Sequence, residues 1–363
     1  MPASDLGIND IMLLKNIHLT NFRNYEDFEL NFELLTVLIG LNGMGKTNLL
    51  EAVYMLSAFS SYRTKNIKDL ILTNKDYFRI SASITGSDVD FFVDGVNSLK
   101  RIKVNGVPKR QVETLGTLIT VLFSPESLDI VCGSPAERRR FMNLIIAQVD
   151  KNYASSLAGL KQVINQRNKL LYRIKQNYSK KDELEFWNDE LIKYTKEIVP
   201  KRTDLVGYIK KNIGQHYKDI CSKDDLLSVK YLPKASSDNI ASYLATNIDE
   251  EIKQCSTLYG PHRDEVIFLL NGKPFSAGWS RGELRSATLA LKMSELDYLE
   301  KVCNKEILLL LDDVFSELDE KRRNELLNMI SGRQTIITTT DKDHVGKKML
   351  DKAKIVEIGE SNG

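Results

Sequence analysis

The spacing of apolar residues changes from region to region, and each change predicts a different element. Early in the chain Ile17, Leu19, Phe22, Phe28, Leu30 and Phe32 recur at short intervals, and the last three alternate with Asp27, Glu29 and Asn31. That period of two is the mark of a half-buried strand. The run Thr36-Val37-Leu38-Ile39 stops abruptly at glycine, after which Leu49, Leu50, Val53 and Leu56 take up helical spacing. Residues 77–123 predict an antiparallel sheet: 78–84 alternate, 101–109 fold back at Asn105-Gly106, and 118–123 are a buried-type strand.

The texture then turns helical. Leu157, Leu160, Ile164, Leu171 and Ile174 share one face, the stretch from Tyr178 to Asp182 breaks it, and 184–196 form a second helix. Pro200 marks a bend and 205–213 continue helically, so the region predicts a compact lobe of short antiparallel helices, too interrupted for a long coiled coil. A strand at 227–231 and a helix over 240–255 follow. Strand texture returns at 266–270, turns at Asn271-Gly272, and gives way to a helix over 284–301. The fully apolar strand 307–311 delivers Asp312 and Asp313, a helix runs to 330, and a last strand ends in Thr340-Asp341.

Two of these junctions carry chemistry. Gly40, Gly45, Lys46 and Thr47 complete a G-x-x-x-x-G-K-[ST] phosphate loop between a strand and a helix. Glycines here, Gly43 included, let successive backbone N–H groups turn inward around an anion, and the helix start adds the positive end of its dipole. Lys46 would reach the β- and γ-phosphates of a nucleoside triphosphate, and the Thr47 hydroxyl would ligate Mg²⁺. The acidic strand end is the second nucleotide element: Asp312 would hold the Mg²⁺ shell and Asp313 would polarise the attacking water. The hydroxyls ending the last strand, Thr340 among them, are candidates for sensing the γ-phosphate.

Composition narrows the setting. Lysine plus arginine number 51 against 49 acids, so any nucleic-acid surface must be a local patch. Candidates are the hairpin with Lys100, Arg101, Lys103, Lys109 and Arg110, and the triplet Arg138, Arg139 and Arg140. Each reads equally as a solvated edge or a salt-bridged surface. The four cysteines are scattered without a C-x-x-C pair, which argues against zinc and disulfides and suits a reducing compartment. No apolar run is long enough to span a membrane, and no secretion signal is expected, so a cytoplasmic location is anticipated. Residues 1–11 have no clear pattern and receive no function.

The order of phosphate loop, helical insertion, second helix start, acidic strand and polar terminal strand is that of ABC-type ATPase heads. Within that class the chain resembles the RecF family, bacterial recombination-repair ATPases related to the SMC heads. The resemblance rests on Phe22-Arg23-Asn24-Tyr25, residues 40–47, Ser61-Tyr62-Arg63-Thr64 and Phe123-Ser124-Pro125-Glu126. It continues through Gln166-Arg167-Asn168, Tyr259-Gly260-Pro261-His262-Arg263-Asp264, Ser280-Arg281-Gly282 and residues 311–319. It implies an α/β head, with mixed sheet and antiparallel β region, formed by 1–133 and 257–363, and a helical lobe inserted at 134–256.

The resemblance also implies a mechanism. Two protomers would enclose two ATP molecules, with Ser280 and Gly282 contacting the γ-phosphate held by the other copy's Lys46. Arg23 and Asn42 would contact phosphate. The implied role is ATP-dependent binding of double-stranded DNA at junctions with single-stranded gaps, helping RecO and RecR load RecA, with weak DNA-dependent ATP hydrolysis driving release. Departures from the wider ABC pattern are Glu283 where glutamine is usual, and Asp313 where glutamate is usual, which suggests slow turnover.

A transporter ATPase subunit is the main alternative. It would ordinarily carry a Q-loop glutamine, an LSGGQ-like segment and a switch histidine, all absent or altered here. An SMC-like tether would need long heptad arms, and a small-molecule kinase would not need the split site.

Overall fold

The structure is a computed structural model describing residues 13–221, 225–274, 278–303 and 305–359; the patternless leader lies outside the described residues. The chain divides into two compact units, Met1–Ser127 with Asp219–Ser222 and Glu295–Gly363, and Leu128–Lys218 with Lys223–Ser294. The second unit therefore takes in more of the chain than residues 134–256.

The first unit opens with β1 (Leu14–Phe22), β2 (Tyr25–Asn31), β3 (Leu35–Ile39) and α1 (Lys46–Ala58). It continues with β4 (Tyr77–Ile84), β5 (Ser87–Asp94), β6 (Leu99–Val104), β7 (Val107–Lys109) and β8 (Thr120–Phe123). The second unit holds α2 (Pro135–Val149), α3 (Lys151–Lys175), most of α4 (Glu185–Cys221), β9 (Leu227–Leu232), α5 (Ile240–Thr246) and α6 (Ile248–Gln254). Next come β10 (Glu265–Leu270), β11 (Lys273–Pro274) and α7 (Arg281–Cys303), along which the chain passes back into the first unit. There β12 (Leu308–Asp312), α8 (Glu320–Ile330), β13 (Thr335–Thr339) and β14 (Lys354–Glu357) complete it.

Two sheets build the first unit. The antiparallel one runs β2-β1-β4-β5-β6-β7, and the second has the order β14-β3-β13-β12-β8 with every pair parallel. In β8, β12 and β13 every residue is buried, the pattern of strands covered on both faces, whereas β4 alternates exposed and buried. That difference corrects one expectation: 118–123 do not extend the antiparallel sheet, because β8 pairs in parallel with β12. Helix α1 buries eleven of its thirteen residues, including Leu49, Leu50, Val53 and Leu56, and so has almost no polar face. Gln334 ties the sheets together. Its buried amide accepts from the Leu13 and Leu14 N–H groups at 3.0 and 2.9 Å and donates to the Leu14 carbonyl at 2.7 Å.

The second unit departs from the short helices expected. α3 spans 25 residues, and α4 runs 37 residues straight through Pro200. Proline removes a backbone donor, at a cost of about 3 kcal/mol, but Leu191, Ile198, Val199, Leu205, Ile209 and Ile213 keep one buried face across it and outweigh that cost. The 240–255 stretch divides into α5 and α6. β9, β10 and β11 form a small antiparallel sheet.

Two buried arginines organise this unit. Arg167 donates to Glu251 at 2.6 Å, Asn188 at 2.9 Å and Thr257 at 3.0 Å. Arg202 donates to Asp264 at 2.7 Å, the Pro261 carbonyl at 2.6 Å, Asn143 at 2.9 Å and the Tyr153 hydroxyl at 3.1 Å. Asp264 also accepts from the Tyr231 hydroxyl and the Lys234 N–H. The segments Gln166-Arg167-Asn168 and residues 259–264 are thus structural latches. Gly260 sits at φ 125°, where a side chain would be strained and would press on Leu191.

His262 lies within these latches. Its Nε2 faces the Thr257 carbonyl at 2.9 Å, and its buried Nδ1 has no hydrogen-bond partner. Burial first, then the charges of Arg263, Arg139 and Arg167, push its pKa down to about 4. The unfolded chain therefore binds a proton that the folded one refuses. Stability should be full above the unfolded value near 6.5 and fall as pH drops toward 4, by at most about 3 kcal/mol. Urea unfolding across that window checks this. His262→Gln should flatten the pH dependence, and an unchanged slope would assign the acid sensitivity elsewhere.

Candidate nucleotide site

The phosphate loop and the acidic strand meet at the C-terminal edge of the parallel sheet, where β3, β12 and β13 end side by side. Sequence places Gly43 and Gly45 in the turn, and both have positive φ, 86° and 107°. A Cβ on Gly45 would fall 2.6 Å from Asn24 and 2.8 Å from the Tyr25 hydroxyl, so only glycine fits. The Tyr25 hydroxyl donates to the Gly45 carbonyl at 3.0 Å and braces the loop from β2. Gly40 is equally hemmed, against the Ile358 backbone. Asn42 is exposed at the loop tip.

Lys46 is only 6% exposed, and its ammonium donates to the carbonyls of Gly40 and Leu41 at 2.6 and 2.9 Å. Burial lowers its pKa, while Asp313 and Asp312 pull the other way. Asp312, 3% exposed, is where the elements converge. Its Oδ1 accepts from Thr47 at 2.8 Å and Thr338 at 2.7 Å, and its Oδ2 accepts from the Tyr62 hydroxyl at 3.1 Å. Burial raises the Asp312 pKa and Glu126 adds to the rise, against the lowering effect of those three donors. Tyr62 is itself pushed well up, by burial and then by the charges of Asp312, Glu126 and Glu51, so it remains a neutral donor.

Asp313 follows in the left-handed region at φ 50°, and its N–H is held by the Thr338 hydroxyl at 2.9 Å. Its Oδ1 is buried with no hydrogen-bond partner. An orphaned carboxylate oxygen beside a hydroxyl–carboxylate pair is the oxygen-only, anionic donor set that Mg²⁺ and its water shell prefer. The residues fit that ion.

Arg23 is brought near the loop, but its guanidinium grips Glu51 through two bonds of 2.9 Å and the Asp69 carbonyl at 3.0 Å. Glu51 is fully buried and also accepts from Ser61 and from Arg63 at 3.3 Å. Arg63 reaches Asn48 at 2.8 Å on the first turns of α1. Tyr62 belongs to a segment that carries the family resemblance and Thr338 to the hydroxyl-rich end of the last strand, but that both donate to Asp312, and that Glu51 is the buried partner of Arg23, emerges only when their elements come together. Thr340 follows β13 half-buried, while the hydroxyl that reaches the acid is Thr338, two positions earlier.

Ser280 and Gly282 lie in the second unit, at the start of α7. Glu283, at the unusual position, accepts from the Ser280 N–H at 2.9 Å and its hydroxyl at 2.8 Å, and its own N–H donates to Ser280 Oγ at 3.2 Å. This reciprocal cap explains an acid there on local grounds. Among the described residues no helix is long and apolar enough to cross a membrane.

Comparison with known proteins gives a consistent result. The RecF/RecN/SMC N terminal domain matches residues 13–361. The DNA replication and repair protein RecF of Agathobacter rectalis is 35% identical over 352 residues, covering 96% of this chain and 97% of its own. The protein of that name from Bacillus subtilis strain 168 is 34% identical, covering 96% and 98%. Among solved structures, the recombination mediator protein RecF with ATP, of the RecFOR pathway, superposes with a TM-score of 0.86 at 33% identity, over 92% of this chain and 93% of that one. An Smc head domain from Pyrococcus yayanosii shares the fold alone, with a TM-score of 0.55 at 13% identity over 95% and 94% of the two chains.

Proposed function

The chain belongs to the RecF family of DNA replication and repair proteins, and from that premise we propose that it is an ATP-dependent DNA-binding recombination-repair protein acting in the cytoplasm. ATP closes two copies into a dimer that binds double-stranded DNA at single-strand gap junctions. With RecO and RecR as partners the dimer helps load RecA, and weak DNA-dependent ATP hydrolysis releases it. The similar solved protein is a recombination mediator of the RecFOR pathway, which supports the partners, and it was solved with ATP, which supports the nucleotide.

The observation carrying this reading is the convergence of Thr47, Thr338 and Tyr62 on Asp312, beside the unpartnered oxygen of Asp313. When ATP enters, Lys46 exchanges the Gly40 and Leu41 carbonyls for the β- and γ-phosphates. Thr47 and Asp312 are the residues that would hold Mg²⁺, which supplies charge neutralisation between those phosphates. Asp313 accepts a hydrogen bond from the attacking water and orients it. Asn42 and Arg23 contact phosphate, Arg23 by leaving Glu51 to Arg63 and Ser61, and Thr340 senses the terminal phosphate from the end of β13. Ser280 and the Gly282 N–H meet the γ-phosphate of the opposite copy, so neither copy completes its site alone. Loss of that phosphate removes the link and loosens the dimer.

Light scattering tests the proposal. Wild type and Asp313→Asn are weighed without nucleotide, with ADP, and with ATP, Mg²⁺ and a gapped duplex. A DNA-bearing dimer that forms only with ATP, and persists longest in Asp313→Asn, is the expected result. A mass indifferent to nucleotide would remove the composite site and the roles of Ser280 and Gly282.

A further inference from the structure

Resting on the reading that the protein binds duplex DNA, the structure separates the two basic clusters that the sequence offers from a third that it brings to light on a helix. The arginine triplet on α2 is spent within the fold. Arg138 donates to Glu265 at 2.8 Å and the Gly133 carbonyl at 2.7 Å, Arg139 to the Asp264 carbonyl at 2.8 Å, and Arg140 stands 3.9 Å from Glu137. On the β6–β7 hairpin the cations are interleaved with acids. Lys103 faces Asp90 across the sheet, the Arg101 charge acts on Asp94, and Arg110 pairs with Glu113 at 3.1 Å. Neither surface presents a continuous positive field.

The third cluster lies on α3, which contains no aspartate or glutamate in its 25 residues. One face is buried through Leu160, Val163, Arg167, Leu171 and Ile174. The opposite arc exposes Lys161, Gln162, Asn165, Lys169, Tyr172 and Arg173. Among the described residues no carboxylate pairs with Lys161, Lys169 or Arg173. In a chain whose charges nearly cancel, an acid-free stripe along one helix is a field rather than a solvated mixture.

We propose that this arc of α3 is the surface on which the phosphates of duplex DNA rest. From Lys161 to Arg173 the helix rises about 18 Å. A duplex laid along it presents about ten charges over that length, enough for each cation to find a phosphate. The amides of Gln162 and Asn165 supply further donors, and the half-exposed Tyr172 ring offers an apolar face to sugars. Flexible cations and amides on a convex helix read backbone and not base edges, so binding is indifferent to sequence.

Fluorescence anisotropy of a labelled mixed-sequence duplex, with ATP and Mg²⁺ and across a salt series, tests this on the full chain. The variants are the triple Lys161→Glu/Lys169→Glu/Arg173→Glu, its neutral counterpart with glutamine at the same positions, and a hairpin control, Lys100→Glu/Lys103→Glu/Lys109→Glu. Binding of a fluorescent ATP analogue verifies the first unit of each variant, and circular dichroism with denaturant unfolding verifies the second. The α3 reversal should weaken DNA at least about tenfold, and the glutamine triple should lower the log–log salt slope by about 3. The hairpin control should stay within about threefold of wild type. Unchanged DNA affinity in both α3 triples, or an equal loss in the hairpin control, overturns the inference while leaving DNA binding intact. A wild type that ignores the duplex even at low salt overturns the DNA-binding reading itself.

Discussion

Lys46→Met is expected to reduce ATP turnover by about 10²–10³-fold and to weaken ATP binding, with little change in thermal stability. The ammonium is almost wholly buried and donates to the Gly40 and Leu41 carbonyls, which hold it along the cradle of the loop. Methionine fills nearly the same space, one atom shorter and without the charge. The cost to the fold is two carbonyls losing a donor, each about 1 kcal/mol and partly recovered by water at the loop mouth. The loss to function is larger, because a preoriented charge in a dry site stabilises the migrating phosphoryl group far better than a solvated one. Phosphate-release kinetics and titration of a fluorescent ATP analogue measure the two effects separately. Turnover within about threefold of wild type would show that this lysine does not meet the reacting phosphate.

Arg202→Met should be the most destabilising of the simple substitutions, at about 3–5 kcal/mol on the second unit. Arg202 is buried against Asp264, and every nitrogen of its guanidinium donates to a protein atom. Truncation leaves Asp264 as a buried charge with the Tyr231 hydroxyl, the Lys234 N–H and the more distant Arg139 charge to compensate it, and it strips partners from Asn143 and the Pro261 carbonyl. Adding Asp264→Leu should recover part of the loss, because an apolar pair of similar volume does not carry the unpaired charge. Denaturant unfolding of both variants supplies the comparison. A loss below about 1 kcal/mol in Arg202→Met would mean that the latch is solvated and the buried network is not what holds α4 to the 259–264 segment.

Much of the candidate site was legible in the sequence alone. A phosphate loop is a local pattern: glycines where backbone must turn, lysine and threonine at the first helical positions, a strand before and a helix after, all within a dozen residues. The acidic strand is equally local, since four leucines of a strand buried on both faces lead directly into Asp312, itself buried at the strand end, and Asp313. The sheet partners of β8 were not legible. A four-residue buried strand satisfies antiparallel and parallel ladders alike, and pairing with β12 involves residues far along the chain. Pro200 misled for a related reason, because its local penalty is visible in the sequence and the packing that offsets it is not.

The sequence by itself determined that this chain carries a nucleotide loop and an acidic strand, in the order of an ABC-type head with a helical insertion. Only the tertiary structure decided what surrounds them: that Tyr62 and Thr338 hold Asp312, that Arg23 and Arg63 share buried Glu51, and that Arg167 and Arg202 belong to the second unit's interior. It also decided which basic residues are free to meet a partner. The physical reason is the range of the interactions. Turn geometry, capping and strand burial act between near neighbours and leave their mark in spacing. Hydrogen bonds and ion pairs act between groups that are close only after folding, and sequence separations such as the 265 residues between Thr47 and Asp312 carry no trace of them.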